Sequence, residues 1–212
     1  MKLTKNLEVM LPDTRGVVIS PWGRGNTKLG GEVITYSKEA VETCPGATEW
    51  CKEHCYARRI AGPVLDVYKA NAGFVVPDLP TFEPRFDWEA HWNPIVRIHV
   101  SGDFDSVAYI NSWIALCKDN PNTIFWAYTR SWRVEGLLPS LEILRALPNV
   151  QLFASVDRDT DLPPKGWRIA FIKGDSRAKG IVCPEELGTK ENCQTCKYCW
   201  KGKRGNVIFL PH

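Results

Sequence analysis

Short apolar runs and stretches of helical spacing alternate along the second half of the chain. Residues 95–100, 123–128, 150–154 and 168–172 are rich in β-branched and aromatic side chains and predict strands. Between them, Val107, Ile110, Ile114 and Cys117 fall on one helical face, and Val134, Leu137, Leu138, Leu141 and Leu144 on another. Asp105 or Ser106 is placed to cap the first of these helices. Pro121-Asn122 and Pro148-Asn149 turn the chain. The first half is less regular. Residues 1–30 look irregular, and residues 32–36 predict a first strand. A helical stretch starts near Cys55 and runs to about Phe74, with a break at Gly62-Pro63. Prolines and aromatics over 77–94 suggest an ordered loop, and residues 206–210 predict a last strand.

Strands spaced by amphipathic helices imply βαβ units, right-handed crossovers and a parallel sheet. A doubly wound sheet and a partial barrel both fit this rhythm. The strand ends favour the barrel. Ser101-Gly102-Asp103, Thr129-Arg130-Ser131, Ser155-Val156-Asp157 and Lys173-Gly174-Asp175 each close a strand with polar residues. Ligands of parallel α/β proteins bind where the carboxyl ends of strands gather. Helix capping is the plainer role for such residues. The expected fold is α/β, a parallel-stranded partial barrel over residues 1–180. A cysteine-rich, metal-binding extension over residues 181–212 packs on the same domain.

Composition adds little to the fold and more to the chemistry. The 212 residues suffice for one compact core, and 44% hydrophobic with 24% charged is ordinary for a globular protein. A net charge of +3 does not select a nucleic-acid partner. Nine tryptophans either fill a core or line a cavity. No apolar run reads as a signal peptide or reaches the roughly 18 residues of a membrane span. The expected setting is therefore cytoplasmic and reducing, with no membrane partner. Clustered cysteines there are ligands more often than disulfides.

Cys44, Cys51 and Cys55 stand in C-P-G-A-T-E-W-C-K-E-H-C-Y-A, spaced C-x6-C-x3-C. Three thiolates can hold three corners of a 4Fe–4S cube and leave the fourth iron open. Zinc completed by a histidine is an alternative, although His54 adjoins Cys55 and points elsewhere. A disulfide is disfavoured without a secretion signal.

This loop follows a first strand and carries Tyr56 just past its last cysteine. It resembles the loop of the radical S-adenosylmethionine (SAM) superfamily, and most nearly that of its small phage-encoded members. The second gap is one residue longer than in those members. Arg58 stands where the commonest superfamily spacing would need a cysteine. The resemblance implies a radical-SAM-like barrel, an open cluster on Cys44, Cys51 and Cys55 that chelates SAM, and reductive cleavage to a 5′-deoxyadenosyl radical. It also implies that Ser101, Gly102 and Asp103 meet the methionine amino group. Arg130, Ser155 and Asp157 would meet ribose and carboxylate.

Cys183, Cys193, Cys196 and Cys199 form a second group, spaced C-x9-C-x2-C-x2-C. Four thiolates complete a tetrahedral zinc site or a closed 4Fe–4S cluster. Overlapping C-x2-C pairs wrap a cube, whereas zinc ribbons offer two separate knuckles. Iron–sulfur is expected here and zinc is the alternative. The eighth cysteine, Cys117, lies on an apolar helix face and reads as core. Lys197, Lys201, Lys203 and Arg204 surround Tyr198 and Trp200. Such a basic, aromatic knuckle is a candidate contact for nucleic acid, and otherwise a solvated tail.

Three functions follow. The first is an iron–sulfur protein of radical SAM type, with its substrate unnamed. The second is an iron–sulfur redox or structural protein without SAM chemistry, partnered by an electron donor if redox-active. The third is a zinc-stabilised nucleic-acid-binding protein. The sequence leaves open whether the chain is an enzyme.

Overall fold

The computed structural model describes residues 20–73, 75–80, 94–202 and 205–211. Its elements run β1 (Trp22–Arg24), β2 (Ile34–Tyr36), α1 (Glu49–Glu53), α2 (Pro63–Ala70), β3 (Ile95–Ile98) and α3 (Val107–Asp119). They continue with β4 (Ile124–Thr129), α4 (Leu138–Ala146), β5 (Val150–Ser155), β6 (Arg168–Ile172), β7 (Ile181–Val182), α5 (Cys193–Cys196) and β8 (Val207–Phe209). The strands form one eight-stranded sheet in the order β1-β2-β3-β4-β5-β6-β8-β7. β1 runs antiparallel to β2, and every other pairing is parallel. From β2 to β6 the strands follow chain order without reversal, so this part of the sheet is wound in one sense. Among the described residues β1 and β7 are its edges and do not pair with each other.

Side chains of a strand alternate between faces. Val96, Ile98, Phe125, Ala127, Leu152 and Ala154 point to one face, into the core shared with Trp113 of α3 and Leu141 and Leu144 of α4. Ser106 starts α3 by accepting from the Tyr109 amide at 3.2 Å. The other face presents Ile95, Trp126, Phe153 and Ala170. It is covered by Leu29 and Val33 and by the C-terminal segment, through Cys183, Tyr198, Cys199 and Trp200. Burying each large apolar side chain contributes roughly 1.5–3 kcal/mol, so both faces fix the register. Backbone bonds add direction: Cys193 N to Lys28 O at 2.8 Å, Gln194 N to Leu29 O at 3.1 Å, and Cys183 N to Ile208 O at 2.8 Å.

Several elements differ from the sequence expectation. Trp22–Arg24 was expected to be irregular and instead forms an edge strand, too short to show an alternating pattern. The two-residue β7 escapes notice for the same reason. The cysteine loop itself contains a helix, α1, capped by Thr48. The stretch from Cys55 is a 3₁₀ turn, Tyr56–Arg59, followed by α2, which starts on Pro63 because proline suits a first helical position. Val107 was expected on the core face but is 42% exposed, because it occupies the first helical position; Tyr109, Trp113 and Leu116 take the core. Cys117 is fully buried among them. Phe74, residues 81–93, Lys203 and Arg204 lie outside the described residues.

Candidate functional site: a thiol-lined cavity at the strand ends

A cavity of about 500 Å³ opens at the carboxyl ends of β3, β4 and β5, between the first cysteine loop and the C-terminal segment. Cys44, Cys51, Cys55, Cys183, Cys193, Cys196 and Cys199 all line it. Two groups far apart in sequence therefore meet because one follows β2 and the other folds back over the same sheet face.

The loop is clamped to the ends of β4 and β5. Gly46 packs against the backbone of Arg130 so closely that a Cβ would stand 2.1 Å from Arg130 O. The Thr48 side chain accepts from the Cys51 amide at 3.0 Å and donates to Asp157 Oδ2 at 2.8 Å. Asp157 Oδ2 also lies 2.7 Å from Arg130 Nη1. Asp103 accepts from Thr129 Oγ1 at 2.6 Å, the Arg130 amide at 2.7 Å and the Phe104 amide at 2.8 Å. Burial pushes the Asp103 carboxyl up, and those hydrogen bonds draw it back. At Gly102 the backbone turns with φ +80° past Lys38 O, where a Cβ would stand 2.9 Å away.

Of the residues assigned to cofactor contact, Ser101, Gly102, Asp103, Arg130 and Ser155 line the cavity. Asp157 stands behind Arg130. Asp103 and Asp157 have their oxygens engaged by protein groups, so they hold the walls in place. The fourth strand end does not take part: Asp175 binds Arg177, with Nη2 to Oδ2 at 2.7 Å.

The floor is formed by Ser101 together with residues that the motif reading did not single out. His99 has φ +61° and is only 3% exposed. Its Nε2 meets the Tyr109 hydroxyl at 2.8 Å. Burial, helped by the charges of Lys38 and Arg97, holds the imidazole well below its usual range, so it is neutral. His99 Nδ1 and Ser101 Oγ are buried and have no hydrogen-bond partner. Arg97, Lys28 and Tyr128 also line the cavity. The signal for Arg97 and His99 was their polarity in the apolar run I-V-R-I-H: Arg97 shares the face of Ile95, and His99 follows the strand with its ring against Phe104, Tyr109 and Trp113.

The thiols are shifted upward, chiefly by burial. Cys44 and Cys193 are pushed up to about 12 and Cys199 to about 11, while Cys51 and Cys183 rise as well. Arg130 hydrogen-bonds the Cys51 side chain, which opposes the rise there.

Fold and site together define a mostly parallel α/β protein with a cysteine-lined cavity at its strand ends. The chain belongs to the Gene product 88 family, whose profile matches residues 20–202. It is 30% identical to the Gene 88 protein of Mycobacterium phage L5, across 79% of this chain and 81% of that relative. To the Gene 88 protein of Mycobacterium phage D29 it is 26% identical, over the same shares. No solved structure matches.

These findings correct the reading drawn from the cysteine loop. The matched region spans both cysteine groups and identifies the Gene product 88 family, not the radical SAM superfamily. The phage kinship is the part that the relatives support. The expected iron–sulfur function, with or without SAM, falls with the superfamily assignment. Among the described residues, no group of three or more His, Cys, Asp or Glu side chains is arranged to hold a metal ion. That also overturns the zinc-stabilised nucleic-acid module. No helix among the described residues is long and apolar enough to cross a membrane.

Proposed function

We propose that the chain binds a small molecule in this cavity, held at the floor by His99 Nδ1 and Ser101 Oγ. The carrying observation is that both atoms are buried and unpartnered. Leaving such an atom unpaired costs about 1–3 kcal/mol, and a ligand would relieve the cost. The left-handed backbone of His99 adds strain at the same point, and strained residues cluster at binding sites. A volume of about 500 Å³ suits a small ligand, for which pockets run roughly 300–1,000 Å³. Parallel α/β proteins bind ligands beyond the carboxyl ends of their strands. All eight cysteines are free thiols, which fits work in the reducing cytoplasm.

Ligand-observed NMR on the full chain, against a library of small polar metabolites, tests this reading. Hits are expected whose affinity falls about tenfold or more in His99→Ala and in Ser101→Ala, the loss of one hydrogen bond. A library without hits, or hits indifferent to both substitutions, would overturn it. Metal content is measured on the same samples. Stoichiometric metal on the thiols would assign the cavity to a metal centre and contradict the reading.

A further inference from the structure

Three cationic side chains line the cavity: Lys28, Arg97 and Arg130. Lys28 Nζ lies 2.5 Å from Glu186 and 3.4 Å from Glu185. Arg130 pairs with Asp157 at 2.7 Å. Arg97 differs: no carboxylate among the described residues pairs with it. Its Nε donates to His99 O at 3.2 Å, and its guanidinium carbon stands 4.3 Å from the centroid of the Tyr128 ring. Among the described residues its Nη1 and Nη2 have no hydrogen-bond partner. A guanidinium held by its stem and stacked on a ring offers a planar fork that matches a carboxylate or a phosphate. A half-buried cation without a counter-charge is costly, and an anionic ligand would supply one.

The surroundings add shape. Tyr56, Tyr128, Tyr198 and Phe209 line the same cavity. Tyr128 and Phe209 meet edge to face, with centroids 5.2 Å apart at 78°. Aromatic walls of this kind pack flat ligands by stacking or edge contact.

We infer that the ligand is a planar aromatic compound bearing a phosphate or carboxylate, with its anionic group on the free edge of Arg97. This rests on the cavity being a small-molecule site and adds the charge and shape of the occupant. Calorimetry on the full chain with two pairs of probes tests it: adenosine monophosphate against adenosine, and indole-3-acetate against indole. In at least one pair the anion is expected to bind at least about tenfold tighter than its neutral parent. Arg97→Met should abolish that preference, so that the anion binds no tighter than its neutral parent. Arg97→Lys, which keeps the charge but not the fork, should retain part of the preference and serves if the first variant does not fold. A preference confined to the phosphate pair identifies a nucleotide, and one confined to the other pair an aromatic acid. Equal binding within both pairs, a preference unaltered by Arg97→Met, or no binding by any probe overturns the inference. Hits from the metabolite library that depend on His99 and Ser101 would still uphold the cavity, so the two failures are distinguishable.

Discussion

Thr48 Oγ1 donates to Asp157 Oδ2 at 2.8 Å across 109 positions of sequence. One bond thus ties the cap of the cysteine-loop helix to the end of β5. The same carboxylate oxygen holds Arg130, whose own amide is held by Asp103. The cavity wall is therefore tied together by these polar contacts, and the unpaired His99 Nδ1 and Ser101 Oγ lie at its floor.

Breaking this clamp should cost more on the carboxylate side. Thr48→Val removes a cap and one buried hydrogen bond, and should lower stability by about 1–3 kcal/mol. Asp157→Ala also strips Arg130 of its partner in a pair whose side chains are 12% and 2% exposed. Its cost should reach about 3–5 kcal/mol. Urea denaturation of the two variants checks the order.

Two glycine replacements should differ in sign. A Cβ at Gly46 meets the Arg130 backbone at 2.1 Å, so Gly46→Ala must push the loop off β4 and destabilise the protein. Gly136 has open space around its Cβ position and no left-handed backbone. Gly136→Ala should be neutral or add up to about 1 kcal/mol through the unfolded state. Thermal melts of both variants decide it.

Lys38 and Asp105 form an ion pair at 2.5 Å, with the lysine side chain fully buried and the aspartate 19% exposed. The two partners are not equivalent. Asp105→Ala leaves a buried ammonium with no counter-charge and should cost about 3–5 kcal/mol. Lys38→Met leaves a carboxylate that water can reach, so it should cost less. A reversed order in chemical denaturation would show that the pair does not set the local stability.

Alkaline pH should unfold the chain earlier than its fold class alone suggests. In the folded state Cys44 and Cys193 titrate at about 12 and Cys199 at about 11, against an ordinary value of 9.0. Between these limits the unfolded chain binds fewer protons than the folded one. Stability must then fall as pH rises through that window, and buried Cys117, Tyr36, Tyr109 and Tyr128, raised in the same sense, extend the fall. Denaturation in reducing buffer at successive pH values checks the slope. Replacing Cys44 by Ala should flatten it.

The sheet and its two main helices were legible because their apolar positions repeat over many residues. β1 and β7 were not, since three and two residues cannot display a period. The strand ends were legible as a shared face: Ser101, Gly102, Asp103, Arg130 and Ser155 do line one cavity. What each does there was not. Asp103 and Asp157 look like free ligands in sequence, yet their partners, Thr129, Thr48 and Arg130, are brought to them only by folding. The cysteine spacing drew attention away from Arg97 and His99, whose polarity in an apolar run was the plainer signal.

The nitrogen-15 spectrum of the histidine rings tests the central claim most directly, recorded near neutral pH with and without a library hit. His99 should be neutral in both states. Its Nδ1 resonance should move on ligand addition, while Nε2, held by Tyr109, should stay nearly fixed. A charged His99 ring, or an Nδ1 signal indifferent to every ligand that binds the chain, would contradict the assignment of the cavity floor.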